Sequence, residues 1–558
     1  MSSFSCSLPR VVSSVIGILS FIICIYGLAN VMPAIGDFRI GPFPMVFFRA
    51  TFFALCIVTI ALAMCESYLN GKANVFIALL STILMFGMLW CCWSFYRISS
   101  ELDDGMFLFG SYEMWIAVLA SISALFFCWR IWGVPVALLG VIGILYMATG
   151  QYWPGPLQTV SHDVNETLAQ NLLYSLDTGI LGSTFAIVTT TVFPFIILGA
   201  LLEGVGAGDS MIRIAFHWMR KTAGGPAHAA VLSSALFGTV SGSAVGNVVG
   251  TGVITIPMIK RRGFSANFAG AVEASASTGG QIMPPIMGAA ALVMADFVGV
   301  NYMTVIIAVL VPSIAYYASL FAMIVFESRR LNIKADDEFV GVDKPNKQDY
   351  LNLLLIFIPL IIIVALLLYG LSPSGASIAA LACLLPLSLI NPAIRATPVK
   401  LISSLCVGGR TFAGLLMAIA AVSIVISALS ATGIPVKFSV LLSSVISRLI
   451  IGFVINSCLL LYRFRHGDAN SPCLCDGCYY SNTCNGASWV GTSYGSYVCI
   501  LHCGRVGYNA TCCYCSLCCR QYCERWTYRY FRSSIKSWHH DFYYSIHFCF
   551  QPDVINRG

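Results

Sequence analysis

Residues 224–264 read GGPAHAAVLSSALFGTVSGSAVGNVVGTGVITIPMIKRRGF, and the fold turns on them. Basic residues flank the apolar part at both ends, Arg220 and Lys221 before it and Lys260, Arg261 and Arg262 after it. The positive-inside bias puts both ends on the cytoplasmic side, which requires an even number of passes. Only 38 residues (222–259) separate the clusters, whereas two full helical spans need about 40 before any turn is counted. The spacing predicts a re-entrant hairpin with its tip in GTVSGSAVGNVVGTG, residues 238–252. Backbone unwound at membrane depth is tolerated only where protein covers it or a cavity runs past it, because lipid offers its amides and carbonyls no partners. The tip is therefore a candidate site.

A second interruption follows in EASASTGGQIMPPIMGAA, residues 273–290. An apolar helix beginning near Phe268 meets Ser275, Ser277, Thr278, Gly279, Gly280 and Gln281, after which Pro284 and Pro285 open another half-helix. This is the pattern of a broken helix. Unwound carbonyls and half-helix C-termini suit small cations, whereas half-helix N-termini attract anionic groups.

The whole chain agrees with a membrane setting. Its 558 residues are 58% hydrophobic and 10% charged, with a mean hydropathy of +0.83, where soluble domains are nearer a quarter charged. An all-α polytopic membrane protein is expected, and the composition speaks against a soluble enzyme, a nucleic-acid binder and a secreted disulfide scaffold. The formal net charge of +7 sits in short clusters between apolar runs, where it acts as a topology signal. Arg10 precedes a first run from Val11 to Val31 with no small-residue cleavage site after it, so the run reads as a retained span. Further spans are expected at 43–64, 74–96, 114–129 and 132–149, making an N-terminal membrane unit of residues 1–150. A polar connection, 151–176, leads to a span from Ile180, an amphipathic piece from Asp209 to Lys221, the hairpin and the broken helix. Spans at 303–326, 351–370, 374–391 and 411–429 complete a second unit of residues 177–447, with a charged loop from Glu327 to Asp349.

Composition changes at Ser447. Of 23 cysteines, 9 lie in residues 1–447 and 14 in residues 448–558, among them CLCDGC (473–478) and CCYCSLCC (512–519). A metal-binding module would show paired knuckles at regular separation with periodic apolar residues between them, and the tail has neither. Translation out of frame is the favoured account. Codons permitted for FRHGDANSPCLCD from Phe464, read one nucleotide later, can spell FGMGM(P/Q)TPPAYV, and those for YNATCCYC (508–515) can spell ITPPVAIA. The shifted text is apolar again.

Residues 224–264, together with FAGAVEASASTGGQIMPPIMGAAALVMADFVGV (268–300), resemble the fused permease of a TRAP transporter, with small and large membrane subunits in one polypeptide. The branch most similar is the one served by a TAXI-type binding protein. The likeness runs from about residue 176 to 335, and residues 1–150 fit the small-subunit region by hydropathy and position only. The resemblance implies an inverted-repeat transporter of the bacterial inner membrane, with one re-entrant hairpin and one broken helix in each half. It also implies an elevator-like mechanism, coupling to inward sodium flow, and delivery of a small organic acid, a C4-dicarboxylate by family habit, from an extracytoplasmic binding protein. GMGM and ITPP in the shifted frame are the family's second-half counterparts, so the chain as written lacks half the site and is expected to be inactive.

Ser241, Gly242, Ser243 and Asn247 stand at the predicted hairpin tip, and Ser277, Thr278, Gly279, Gly280, Gln281, Pro284 and Pro285 at the predicted break. Hydroxyl, amide and carbonyl oxygens there suit sodium, with Ser241, Ser243, Asn247 and Thr278 as its expected ligands; a singly charged ion needs no carboxylate. The plainer accounts are close helix packing through small residues for the tip and a proline kink for the break. Glu273, an acid inside an apolar segment, is a functional candidate by default, although a partner at the interface would also explain it. His217 and His228 border the basic clusters and are expected at the membrane interface. No nucleophile and base pair, phosphate-cradling loop or nucleotide motif appears, so neither an enzyme nor ATP-driven transport is supported, and no cofactor beyond the coupling ion is expected. The competing readings are a membrane channel or intramembrane enzyme built on the broken helices, and an inactive frameshifted product.

Overall fold

The computed structural model describes residues 8–33, 40–71, 74–102, 109–161, 163–242, 244–333, 344–440, 442–443, 487–491 and 497–501. The chain divides into Met1–Pro435 and Val436–Gly558. The shifted frame, the cysteine clusters and the second hairpin expected from the sequence fall in the latter and lie outside the described residues, except that Ala487–Gly491 (β1) pairs antiparallel with Tyr497–Leu501 (β2).

The described residues of the first unit form helices and the connections between them. Five long helices come first, α1 (Leu8–Val31), α2 (Met45–Leu69), α3 (Val75–Leu102), α4 (Ser111–Trp132) and α5 (Val134–Thr149). A short α6 (Val164–Ala169) leads to a span made of α7 (Ser183–Ile187), a π-helical stretch (Val188–Val192) and α8 (Phe193–Gly204). Then come the amphipathic α9 (Ala207–Met219), the hairpin of α10 (Gly225–Ser241) and α11 (Ala244–Arg261), and the broken pair α12 (Ala266–Gly279) and α13 (Ala289–Val298). The last are α14 (Tyr302–Arg330), α15 (Lys347–Leu368), α16 (Pro373–Ser388), the short α17 (Pro392–Ala396) and α18 (Val399–Thr432). Among the described residues, nine helices are long and apolar enough to cross a membrane. Local signals set the starts: the side chains of Ser265, Asn301 and Ser372 accept backbone N–H bonds at the heads of α12, α14 and α16, each satisfying a donor the helix itself leaves open.

α18 is the hub, packing against α1, α2, α4, α5 and α8. It starts well before the expected residue 411. Gly408 and Gly409 sit inside the helix and let other helices in close. A Cβ on Gly409 would collide with the Ser20 carbonyl of α1, and one on Gly408 would press on Ala200 and Ile197 of α8. Beneath this crossing Phe52, Phe193 and Phe412 meet edge to face, with centroids 5.7, 5.8 and 4.7 Å apart, so α2, α8 and α18 share one aromatic junction. The buried Arg49 of α2 donates to the carbonyls of Leu176 (2.9 Å) and Leu181 (2.8 Å), tying the N-terminal helices to the connection before α7. Lower down, Asp349 accepts from Arg213, from the Ser210 hydroxyl at 2.8 Å and from the Asn346 amide at 2.8 Å, which pins α9 to the head of α15.

A separate apolar cluster lies within α10, α11, α12 and α14. Ala227, Val231, Ile259, Val272, Ala276 and Ile324 form its buried centre, whereas Ile286 and Met287, between α12 and α13, and Leu292 and Tyr302 after them belong to the main core with α2, α8 and α18. Gly409→Ala is expected to destabilise the protein by about 1–3 kcal/mol through overpacking, seen as a lower melting temperature in detergent. Gly414→Ala, where a Cβ would meet only Ile131 at 3.8 Å, should melt like the parent.

Candidate ion and substrate site

The hairpin turn is tighter than the glycine-rich sequence predicts. α10 ends at Ser241, Gly242 turns left-handed (φ 58°) with its N–H on the Gly238 carbonyl, and helix resumes at Ala244. Asn247, expected on unwound backbone, is therefore one turn inside α11, because its side chain and those of Thr251 and Thr255 have partners only if the helix continues. Ser243 lies outside the described residues. The second interruption runs from a 3₁₀ turn at Gly280–Ile282 through Pro284 and Pro285 to Gly288, whose amide closes the segment by donating to the Gln281 carbonyl at 2.7 Å.

The two interruptions meet. A Cβ on Gly238 would overlap the backbone of Gly280, and one on Gly242 would overlap the Met287 carbonyl. A Cβ on Gly280 would lie 3.2 Å from the Asn247 amide nitrogen. Four half-helix ends thus converge, the C-termini of α10 and α12 and the N-termini of α11 and α13. Tyrosines support the break from behind. Tyr316 and Tyr317 donate to the carbonyls of Ser275 (2.7 Å) and Ala276 (3.1 Å), and Tyr302 donates to those of Pro285 (2.9 Å) and Ile286 (2.8 Å). These bonds satisfy carbonyls that the missing helical turn would have used.

Of the expected residues, Gly242, Asn247, Gly279, Gly280, Pro284 and Pro285 lie in or beside this convergence, with Ser241 closing α10 next to it. Ser277 faces the hairpin interior and donates to Glu273. The Thr278 hydroxyl turns back onto the Ala274 carbonyl at 2.7 Å, and Gln281 is exposed. Asn247 spends its amide on the Ser234 carbonyl at 2.8 Å, which joins the two arms of the hairpin. His228, expected at the interface, is buried instead. Its ring nitrogens find Thr222 (3.0 Å) and the Phe321 carbonyl (3.3 Å), and it stacks on the Phe321 ring, so the environment is dry and yet polar enough.

Below the tips is a cluster that glycines and prolines do not announce. Glu273 is fully buried, and its carboxylate accepts from Ser234 of α10, from Thr251 and Thr255 of α11 and from Ser277 of its own helix. The signal was present as a spacing. Asn247, Thr251 and Thr255 recur every fourth residue and are fully buried, while Val245, Val249 and Val253, on the other side of α11, are 63%, 66% and 73% exposed. Polar inside and apolar outside is the arrangement of a helix facing lipid.

The sequence pattern of the family described as the tripartite ATP-independent periplasmic transporter, DctM component, matches residues 119–462, from within α4 onward. Among curated proteins, the chain is 32% identical over 137 residues to the uncharacterized protein y4mL of Sinorhizobium fredii, covering 24% of this chain and 32% of that protein. It is 30% identical over 98 residues to the uncharacterized protein YgiK of Salmonella typhimurium, covering 17% and 22%. The chain thus spans a third or less of the length of these relatives.

Gly238→Ala should force the hairpin off the break and cost about 1–3 kcal/mol. Gly270→Ala, with nothing within 4 Å of the new Cβ, should be neutral or slightly stabilising through better helix propensity. Melting temperatures of the two purified variants check this contrast.

Proposed function

This chain belongs to the DctM family of tripartite ATP-independent periplasmic transporters and is a multi-pass permease of the bacterial inner membrane, and from that premise we propose that it is a sodium-coupled importer of small organic acids. The observation that carries the reading is the meeting of four half-helix ends at Gly238, Gly242, Gly280 and Met287. The carbonyl ends of α10 and α12, with the side-chain oxygen of Asn247, offer hard neutral ligands to a singly charged cation; of the other expected ligands, Ser241 and Ser243 stand at this end of α10 in sequence, while Ser277 and Thr278 turn to Glu273 and to the Ala274 carbonyl. The amide ends of α11 and α13 offer a partial positive charge to a substrate carboxylate. Gly279, Gly280, Gln281, Pro284 and Pro285 hold the backbone open for both.

Division of labour follows from the two cores. α10–α12 with the later part of α14 form the carrier around their own apolar centre, and α18 with the helices around it forms the frame, against which Val240 of α10 and Tyr302, Val305 and Ile306 of α14 also pack. The N-terminal helices act as a fused small subunit, bound to the frame through Arg49 and the Phe52 junction. Substrate, a dicarboxylate or related acid, arrives from a separate extracytoplasmic binding protein of the TAXI type. The cysteine-dense composition after Ser447 supports an out-of-frame tail in place of the second half-site.

Two measurements test this. Resequencing the gene across the codons for Ser447 and Arg448 should reveal a single-nucleotide slip. Proteoliposomes holding the frame-corrected protein should then accumulate a labelled organic acid only when an inward sodium gradient and the binding protein are both supplied. Equal uptake with neither would leave a channel in place of the transporter.

A further inference from the structure

The ligands available where the tips meet are all uncharged, yet a cation brought to mid-membrane must be compensated for lost water. From Thr222 to Ala295 the chain holds one acidic residue, Glu273. We propose that the four hydroxyls keep Glu273 as a carboxylate, and that its charge draws a monovalent cation to the neutral oxygens between Gly238 and Gly280. The inference rests on the cation reading of the site and names a positioning residue for it, one that acts through its field and does not touch the ion.

The hydrogen-bond count supports the charged form. A carboxylate has about four acceptor sites and no donor. Ser234, Thr251 and Ser277 converge on one oxygen and Thr255 on the other; Ser277 and Thr255 have the carboxylate as their acceptor, whereas Thr251 divides its single proton between the carboxylate and the Asn247 carbonyl at 2.8 Å, and each bond given to the carboxylate is charge-assisted. A neutral acid would need one of these hydroxyls to reverse and accept. Both carboxylate oxygens are engaged by hydroxyls, so the proposal sets the cation at the tips and not on Glu273. No neighbour among the described residues neutralises the charge by contact. On α10, His228 is engaged by Thr222 and the Phe321 carbonyl. On α11, Lys260 and Arg261 are exposed in the last turn. On α14, Tyr316 and Tyr317 donate to the carbonyls of Ser275 and Ala276. Among the described residues, no basic side chain forms an ion pair with Glu273.

Gly280 lies seven residues after Glu273, about 10 Å along a helix axis. At an effective dielectric constant of about 20, a unit charge at that distance changes cation affinity roughly ten- to twentyfold.

The test uses the purified full chain in detergent. Its melting temperature is followed as sodium chloride replaces choline chloride at constant ionic strength, since a bound ion stabilises the folded state by mass action. Glu273→Gln, nearly the same size without the charge, should raise the half-saturating sodium concentration roughly ten- to twentyfold, while Glu273→Asp should keep it near the parent value. A purely structural role would lower the melting temperature of both variants in choline and leave the half-saturating concentration of Glu273→Gln unchanged, and that result would overturn the inference. Should Glu273→Gln fail to fold, Thr255→Val carries the test: it removes one hydroxyl at nearly constant volume, so severalfold weaker sodium binding supports the proposal and unchanged binding sinks it. If the unaltered chain shows no sodium-dependent shift, the cation reading falls and this inference falls with it.

Discussion

Peptide groups in hydrocarbon must find their hydrogen-bond partners within the protein, and the close approach of Gly238 to Gly280 is what makes that feasible here. With a side chain at either position the hairpin and the break would stand apart, and both turns would face lipid or a void. With hydrogen atoms there, each turn covers the other. Tyr302, Tyr316 and Tyr317 then satisfy the exposed carbonyls on the far side. The two irregular segments are thus stable only as a pair, which accounts for the small residues that enrich both, although they lie far apart along the chain.

The same constraint shapes α11. A helix with one face in lipid and the other against α10 and α12 reverses the amphipathic order of a soluble protein, so its valines point outward and its Asn247, Thr251 and Thr255 point inward. Those inward groups need acceptors, and the Glu273 carboxylate and the Ser234 and Asn247 carbonyls provide them. Three helices are joined by this polar network. Around it the apolar centre at Val231, Val272 and Ile324 supplies ordinary packing.

Much of the helical architecture was legible because a hydrocarbon slab imposes length and hydropathy on every span. The spans at 43–64 and 303–326, and the amphipathic piece from Asp209, appear as α2, α14 and α9 within a few residues of expectation. Both interruptions were legible as well, since glycine, serine and proline clustered in an apolar run weaken a helix that lipid would otherwise favour. The extent of the hairpin turn was not. Gly246, Gly250 and Gly252 look like unwinding signals in sequence, but helix persists through them because Gly250 and Gly252 are packed against Phe237 and Glu273 respectively. Within α18, Gly408 and Gly409 are likewise contact points of a helix crossing. In a membrane protein a glycine marks close approach about as readily as it marks a turn, and sequence alone does not separate the two. The Glu273 network was hidden for a different reason: its donors come from three helices, and no local window contains them.

The break also divides the interior. Val272 and Ala276, before it, pack in the hairpin's own cluster, while Ile286 and Met287 in its last part and Leu292 after it pack in the main core, as does Val240 near the end of α10. Residues 280–288 are therefore the joint between two bodies of side chains, and the joint is short of helical hydrogen bonds. Any displacement of the hairpin relative to the main core would act on this joint and on the contact of Val240 with α8, because the helices on either side resist bending. A binding site built on the joint feels such a displacement directly. The backbone of Gly280 and Gln281 continues from α12, on the hairpin's side, while the amides at the head of α13 lie on the side of the main core. An ion and a carboxylate bound between them would hold the two bodies in one arrangement, and losing either would release it. Coupling of two solutes is a natural property of a site placed where the helix is broken, and an unbroken helix could not provide it.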